Sequence, residues 1–369
     1  QLLKEMIIDP TDENIIQCAQ ILKSGGVVGM PTETVYGLAG SAFIEAGCEL
    51  IFTTKQRPPT DPLIVHISSL DQIADVADLD STDLLNEPGK PTIKQIFACM
   101  SSAFWPGPLT IILPKSAKIP MAATANQFTV GVRFPSHKVA QRLIEAAGPL
   151  AAPSANLFGH VSPVSAQHVL DDFPHLQILN GDQAEIGIES TVVQLLPGKV
   201  FLYRRGFITE KDILKALADA GLGSTELEVK KVSSSSVEKQ VAPGQLTTHY
   251  AISGESVFLC QVEPDFPSLV KVDGEQFRDL AGVCVINCGL ERYEGLREKM
   301  GLHDAQWFQI FDQPVQKYFE TLRFAEKLNF KKAIIIPPKE IFEKGFGDGV
   351  EASLFDRILR SCSGKWVQA

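Results

Sequence analysis

Short apolar runs punctuate the first two hundred positions of the chain, among them Val27-Val28-Gly29-Met30, Leu63-Ile64-Val65-His66-Ile67 and Thr110-Ile111-Ile112-Leu113. Amphipathic stretches separate them, so strands alternate with helices and the region up to about Gly221 reads as an α/β domain. Val139 to Ala147 repeats apolar residues at helical spacing, and Thr209 followed three residues later by Asp212 has the form of a capping box, so both stretches predict surface helices. Between Gly221 and about Ser253 the pattern breaks. Glu226-Leu227-Glu228, the run Ser233-Ser234-Ser235-Ser236 and Ala242-Pro243-Gly244-Gln245 suit an exposed linker. Beyond it, Val257-Phe258-Leu259, Val283-Cys284-Val285-Ile286 and Ala333-Ile334-Ile335-Ile336 read as buried parallel strands, with a long helical segment from Val315 to about Asn329. The expected division is an α/β domain over 1–221, a linker over 222–253 and a smaller Rossmann-like α/β domain over 254–369.

Composition narrows the function classes. A chain of 369 residues is long enough for two cores, and a net charge of -10 argues against stable binding of nucleic-acid backbones. The seven cysteines are scattered, with no CxxC pair, which fits neither a disulfide framework nor a zinc site. No apolar run reaches the roughly 18 residues of a membrane span, and no signal-peptide pattern is found, so the expectation is a cytoplasmic protein without membrane association. Neither GxGxxG nor GxxxxGK[ST] occurs, which removes the support for a dinucleotide dehydrogenase or a P-loop ATPase.

Three clusters carry candidate chemistry. Pro31-Thr32-Glu33-Thr34-Val35-Tyr36-Gly37 packs hydroxyls, a carboxylate and a glycine into one turn after a strand, where either a ligand site or a capped strand-to-helix connection fits. Lys55-Gln56-Arg57-Pro58 sets two cations on alternate positions, pointing the same way if the backbone is extended. That suits a polyanion, and a solvated basic turn is the competing reading. Ala151-Ala152-Pro153-Ser154-Ala155-Asn156 runs small residues into a Ser-x-Asn loop that continues to Ser162-Pro163, offering either ligand contacts or turn formers. Thr129-Val130-Gly131-Val132-Arg133, Gly187-Ile188-Glu189-Ser190-Thr191 and Tyr203-Arg204-Arg205-Gly206 each place polar groups at one end of a strand. By residue type alone, Arg133 and Arg204 fit surface ion pairs as well as anion clamps, and His66 fits a satisfied core histidine.

In order, PTETVYGL, KQRP with PLIVHI, TVGVRFP, PSAN and GIESTVV resemble the threonylcarbamoyl-AMP synthase family, built on the YrdC-like catalytic fold, and APGQLTTHYA followed by a small α/β domain resembles its long two-domain form. The resemblance implies a twisted open sheet around a deep, positively charged cavity. It also implies an enzyme, a nucleotidyltransferase that makes threonylcarbamoyl-AMP and pyrophosphate from L-threonine, bicarbonate and ATP for a tRNA modification. Lys55 and Arg57 would be catalytic; Thr32, His66, Arg133, Ala152 and Ser190 would surround L-threonine. Lys55, Arg57, Thr129, Ser154, Asn156, Ser162 and Arg204 would face ATP, with Mg2+ carried by the nucleotide rather than by protein side chains. Pro243, His249 and Tyr250 would gate the site from the linker, and a tRNA threonylcarbamoyl transferase complex would receive the product. The chain departs from the family pattern in its APGQ linker start and in YRRG, where Arg205 is an alternative to Arg204. Competing functions are an RNA-binding or ribosome-associated module and a carbamoyl transferase relative.

Overall fold

The computed structural model describes residues 6–230, 250–251, 255–260, 270–271, 283–289, 296, 298, 305–310, 313–330, 332–344, 349–363 and 365–368. These fall into two compact units. The first comprises 6–158 and 162–230, and the second takes in 159–161 and the described residues from 250 onward. Most of the expected linker, including Ser233 to Ser236, Pro243 and His249, lies outside the described residues.

The first unit is built on one mixed sheet of eleven strands: β1 (Ile7–Ile8), β2 (Val27–Met30), β3 (Gly37–Ser41), β4 (Ile64–His66), β5 (Leu109–Pro114), β6 (Thr129–Arg133), β7 (Leu150–Ala151), β8 (Ile178–Leu179), β9 (Thr191–Leu196), β10 (Lys199–Arg204) and β11 (Glu226–Val229). They lie in the order β1-β8-β2-β3-β7-β4-β6-β5-β9-β10-β11. At its centre β4 pairs parallel with β6, and β5 runs antiparallel to β6 and parallel to β9. Because side chains alternate across a strand, Val65, Ile111, Leu113, Val130 and Val132 all enter the main core on one face. The residues between them, Ile64, His66, Thr110, Ile112, Thr129, Gly131 and Arg133, share the other face, where Ile64 and Ile112 stand among the polar groups. The central strands therefore carry their polar groups on the face turned from the main core.

Glu226–Val229 corrects the expected domain boundary. Its Glu-Leu-Glu-Val alternation turns Leu227 and Val229 onto the core, while Lys199 meets Glu226 at 3.1 Å and Glu228 at 3.4 Å, and the segment joins the sheet edge parallel to β10. Charge on an edge strand also discourages pairing with other chains. The two helices read from periodicity are present as Lys138–Ala147 and Glu210–Asp219, the latter with the reciprocal Thr209–Asp212 capping box.

The second unit is an all-parallel sheet of six strands: β12 (Glu255–Cys260), β13 (Val270–Lys271), β14 (Val283–Asn287), β15 (Gln306–Gln309), β16 (Lys332–Ile336) and β17 (Lys365–Gln368). Their order is β13-β17-β12-β16-β14-β15. Val257, Val283, Val285, Ile334 and Ile336 form its core, as near-continuous apolar runs in a parallel sheet require. The long helix runs Pro314–Lys327. Among the described residues no helix is long and apolar enough to cross a membrane.

Candidate active site

The first polar cluster sits on the connection from β2 to β3, a strand-to-strand turn rather than the strand-to-helix connection considered from sequence. Thr32 Oγ1 donates to the Val35 carbonyl at 2.6 Å and lies 2.9 Å from Thr34 Oγ1, which folds the turn on itself. Backbone bonds stitch it to the other motifs. Ile186 N–H reaches the Glu33 carbonyl at 2.8 Å, Gly187 N–H the Thr34 carbonyl at 3.1 Å, and Tyr36 N–H the Pro163 carbonyl at 2.9 Å. The Tyr36 hydroxyl donates to the Asp182 carbonyl and accepts from Gly181 N–H. Burial pushes this phenol up to about 12, so it stays protonated and holds both bonds.

The KxR pair does not lie in extended backbone. Lys55 is the last residue of the helix Glu45–Lys55, and Gln56 closes that helix in the left-handed region at φ 53°, so Arg57 leaves in a new direction. Nor is the pair solvated: Lys55 is 1% exposed and Arg57 7%. The Lys55 ammonium donates to the carbonyls of Ser154 and Asn156, and Phe158 N–H returns a bond to the Lys55 carbonyl at 2.9 Å. One cation thus fixes the backbone of the Ser-x-Asn loop. Arg57 Nε donates to the Asp61 carbonyl and Nη2 to the Pro62 carbonyl, both at 3.0 Å, and Nη2 lies 2.9 Å from Asp61 Oδ2. Burial pushes the Asp61 carboxyl above its ordinary value, against the pull of Arg57, Arg204 and Lys55 in that order. Three cations act on one buried acid. Arg57 also lines a surface cavity of about 700 Å3 with Phe52, Gln56, Pro59, Met121 and Asn126.

The polar face of the sheet supplies the rest. Arg204 Nε donates to the Ser190 carbonyl and Nη2 to Ser190 Oγ, each at 3.0 Å, and Ser190 Oγ lies 2.8 Å from Thr110 Oγ1. That approach needs Gly206, because a Cβ there would stand 2.3 Å from the Thr191 amide nitrogen. Arg205 pairs with Glu210 at 2.7 Å, whereas Arg204 is the one on Ser190. Ser162 donates to Glu189 Oε1. Arg133 is buried rather than engaged in a surface pair: Nη1 donates to Thr34 Oγ1 at 2.9 Å and Nη2 lies 2.7 Å from Glu33 Oε1. His66 is its register partner on β4 and is not a satisfied core histidine, since Nδ1 has no hydrogen-bond partner. Burial, then the Arg133 charge, lowers it to about 3, so the ring is neutral at ordinary pH.

Thr129 stands on the same face of β6 as Arg133, four residues upstream and therefore about 13 Å away at strand rise. Gly131 between them carries no side chain, and Thr110 Cγ2 and Ile64 Cγ1 close over it, 3.2 and 3.5 Å from where a Cβ would stand. Ala152 is buried, its N–H on the Ile64 carbonyl at 3.0 Å. The structure thus brings Thr32, Lys55, Arg57, His66, Arg133, Ala152, Ser154, Asn156, Ser162, Ser190 and Arg204 into one unit. Tyr250 packs in the second unit, 1% exposed, its ring 5.2 Å from that of Phe319. Glu33, Asp61 and Glu189, not singled out from sequence, are buried carboxylates, the first two ion-paired with Arg133 and Arg57 and the third accepting from Ser162. Glu33 stands between two threonines and Glu189 before a serine, which is the signal the sequence offers.

Among the described residues no three His, Cys, Asp or Glu side chains gather to hold a metal. Cys18, Cys48, Cys99, Cys284, Cys288 and Cys362 are free, and burial pushes Cys18 to about 11 and Cys48 to about 12, which suppresses thiolate chemistry there.

The Sua5–YciO–YrdC family model, described as telomere recombination, matches residues 20–206. The threonylcarbamoyl-AMP synthase of Bacillus subtilis is 37% identical over 384 aligned positions that cover 99% of both chains. That of Pyrococcus abyssi is 38% identical over 65% of this chain and 66% of its own. Among solved structures, P. abyssi Sua5 complexed with L-threonine superimposes with a TM-score of 0.77 at 28% identity, covering 99% of this chain and 98% of that one.

Proposed function

Given that the chain belongs to the Sua5–YrdC family in its two-domain, threonylcarbamoyl-AMP synthase form, we propose that its first unit joins L-threonine, bicarbonate and ATP on the polar face of the central sheet. The observation that carries this reading is the set of buried polar atoms of Arg133, His66 and Glu33 that have no hydrogen-bond partner, in the unit that also buries Lys55, Arg57 and Arg204. Each orphaned buried group costs about 1–3 kcal/mol unless a ligand meets it. Such a cost is retained where a substrate repays it.

In this reading the threonine carboxylate takes the place of Glu33 at the Arg133 guanidinium, with Thr32, His66, Ala152 and Ser190 around the rest of the amino acid. The nucleotide lies toward Lys55, Arg57, Thr129, Ser154, Asn156, Ser162 and Arg204. Threonine's amine adds to bicarbonate to give a carbamate, whose oxygen then attacks the α-phosphorus of ATP and expels pyrophosphate. Positive charge from Lys55, Arg57 and Arg204 stabilises the developing phosphoryl and pyrophosphate oxygens. Holding three reactants together in a buried site supplies proximity and protects the short-lived carbamate from water. Magnesium enters as part of the ATP substrate. The mixed-anhydride product is water-sensitive, so a transferase acting on tRNA consumes it, and the free thiols suit the reducing cytoplasm.

The test omits L-threonine, bicarbonate and ATP in turn while mass spectrometry follows threonylcarbamoyl-AMP and a coupled assay follows pyrophosphate. Product that requires all three is expected. Lys55→Ala should lower pyrophosphate release by roughly a hundredfold or more, the scale of losing one preorganised charge at a reacting centre. Nucleotide binding without either product would overturn the reading and favour a binding module.

A further inference from the structure

Glu33 and Arg133 form an incompletely bonded pair. Both are nearly completely buried, and Glu33 Oε1 lies 2.7 Å from Arg133 Nη2. The distance is that of an ion pair, yet the geometry is not that of a hydrogen bond: both oxygens of Glu33, and Nε and Nη2 of Arg133, lack hydrogen-bond partners. A buried pair that served only the fold would close as a fork, two parallel N–H bonds on two oxygens, because a half-satisfied pair is costly to bury. This one leaves an acceptor and donors side by side. That arrangement is complementary to a zwitterion, whose carboxylate needs the donors and whose ammonium needs the acceptor.

The other buried groups nearby do not supply the acceptor. His66 is neutral, lowered to about 3 by burial and by Arg133, so it brings no negative charge to an ammonium and is a weak proton acceptor at neutral pH. Asp61 is held in the field of three cations, Arg57 at 2.9 Å, then Arg204 and Lys55, and Glu189 accepts from Ser162.

We propose that Glu33 binds the α-ammonium of the amino-acid substrate and takes its first proton, a role that rests on the functional reading above. A Glu33 oxygen accepts one N–H proton, leaving a neutral amine. The amine lone pair then forms the N–C bond to bicarbonate. A second amine proton combines with the departing hydroxide as water, which yields the carbamate, and Glu33 returns its proton to solvent afterwards. Arg133, released from Glu33, holds the substrate carboxylate.

Calorimetry on the full chain tests this with two ligands, L-threonine and its α-hydroxy analogue, in which a hydroxyl replaces the α-ammonium. Glu33→Gln should weaken L-threonine about tenfold to a hundredfold, the value of a charge-assisted bond. The analogue should bind Glu33→Gln as tightly as wild type or more tightly, since Arg133 no longer has a competing carboxylate, and its retention certifies an intact site. Equal weakening of both ligands by a folded Glu33→Gln overturns the role of Glu33. If that variant does not fold, Glu33→Asp decides: withdrawing the charge by one methylene must weaken L-threonine more than the analogue, and equal weakening overturns the proposal. Wild-type protein that binds neither ligand would instead overturn the functional reading itself.

Discussion

Two buried carboxylates, one in each unit, are spent in opposite ways. Asp356, on the helix Val350–Ser361 of the second unit, receives Arg360 Nε at 2.9 Å and Nη2 at 3.0 Å as a fork, and Arg357 Nη1 at 3.0 Å. Glu33 in the first unit meets a guanidinium of similar burial and forms no hydrogen bond through either oxygen. Both acids were costly to bury, but only the first recovers the cost within the protein. Burial of charge therefore does not identify a functional site. A carboxylate with no hydrogen bond on either oxygen, beside an arginine with unbonded donors, leaves room for a ligand to supply the missing partner.

The largest test of that contrast is Asp356→Ala, which removes the carboxylate that two buried guanidiniums bind and should destabilise the second unit by about 3–5 kcal/mol, read as a lower midpoint in urea. A smaller but more specific effect belongs to His66. Its folded value, about 3, lies below the ordinary 6.5, so between those limits the unfolded chain binds a proton that the folded one does not. Stability from this group is complete above about pH 6.5 and falls by about 1.4 kcal/mol for each unit of acidification below it. His66→Gln should remove that part of the slope, and an unchanged slope in denaturant titrations at pH 6.5 and 5.5 would contradict the buried, neutral ring. The smallest change is expected from removing both members of the unsatisfied pair. Glu33→Gln with Arg133→Met should remain within about 1 kcal/mol of wild type, since a buried pair replaced by neutral groups of similar volume is often tolerated. A loss of several kcal/mol would show that the pair stabilises the fold and would erase the contrast with Asp356.

Much of the architecture was legible along the chain. Apolar runs located β2, β4, β5, β12, β14 and β16, and the Thr209–Asp212 spacing located a helix start, because these signals depend on residues close in sequence. Glu226–Val229 was assigned to the linker because two glutamates in four residues resemble exposed chain, and only pairing with β10 and the nearby Lys199 make it a strand. The KxR motif pointed to an anion, but its geometry was misjudged: a left-handed Gln56 and a helix end place the two cations on different tasks, one on the Ser-x-Asn loop and the other on Asp61. Arg205 and Arg204 are equivalent in sequence and separate only because Glu210 captures one while Ser190 receives the other.

By itself, the sequence determined which residue types this protein has for its chemistry, the alternation that gathers the polar groups of the central strands on one face, and the family to which the chain belongs. Tertiary structure alone decided how those residues are paired. Motifs separated by up to a hundred positions or more meet through backbone bonds among the β2–β3 turn, the Ser-x-Asn loop and residues 186–187. Whether a buried charge ends satisfied, like Asp356, or open, like Glu33, depends on angles set by the packing of distant strands, and no local pattern encodes such angles.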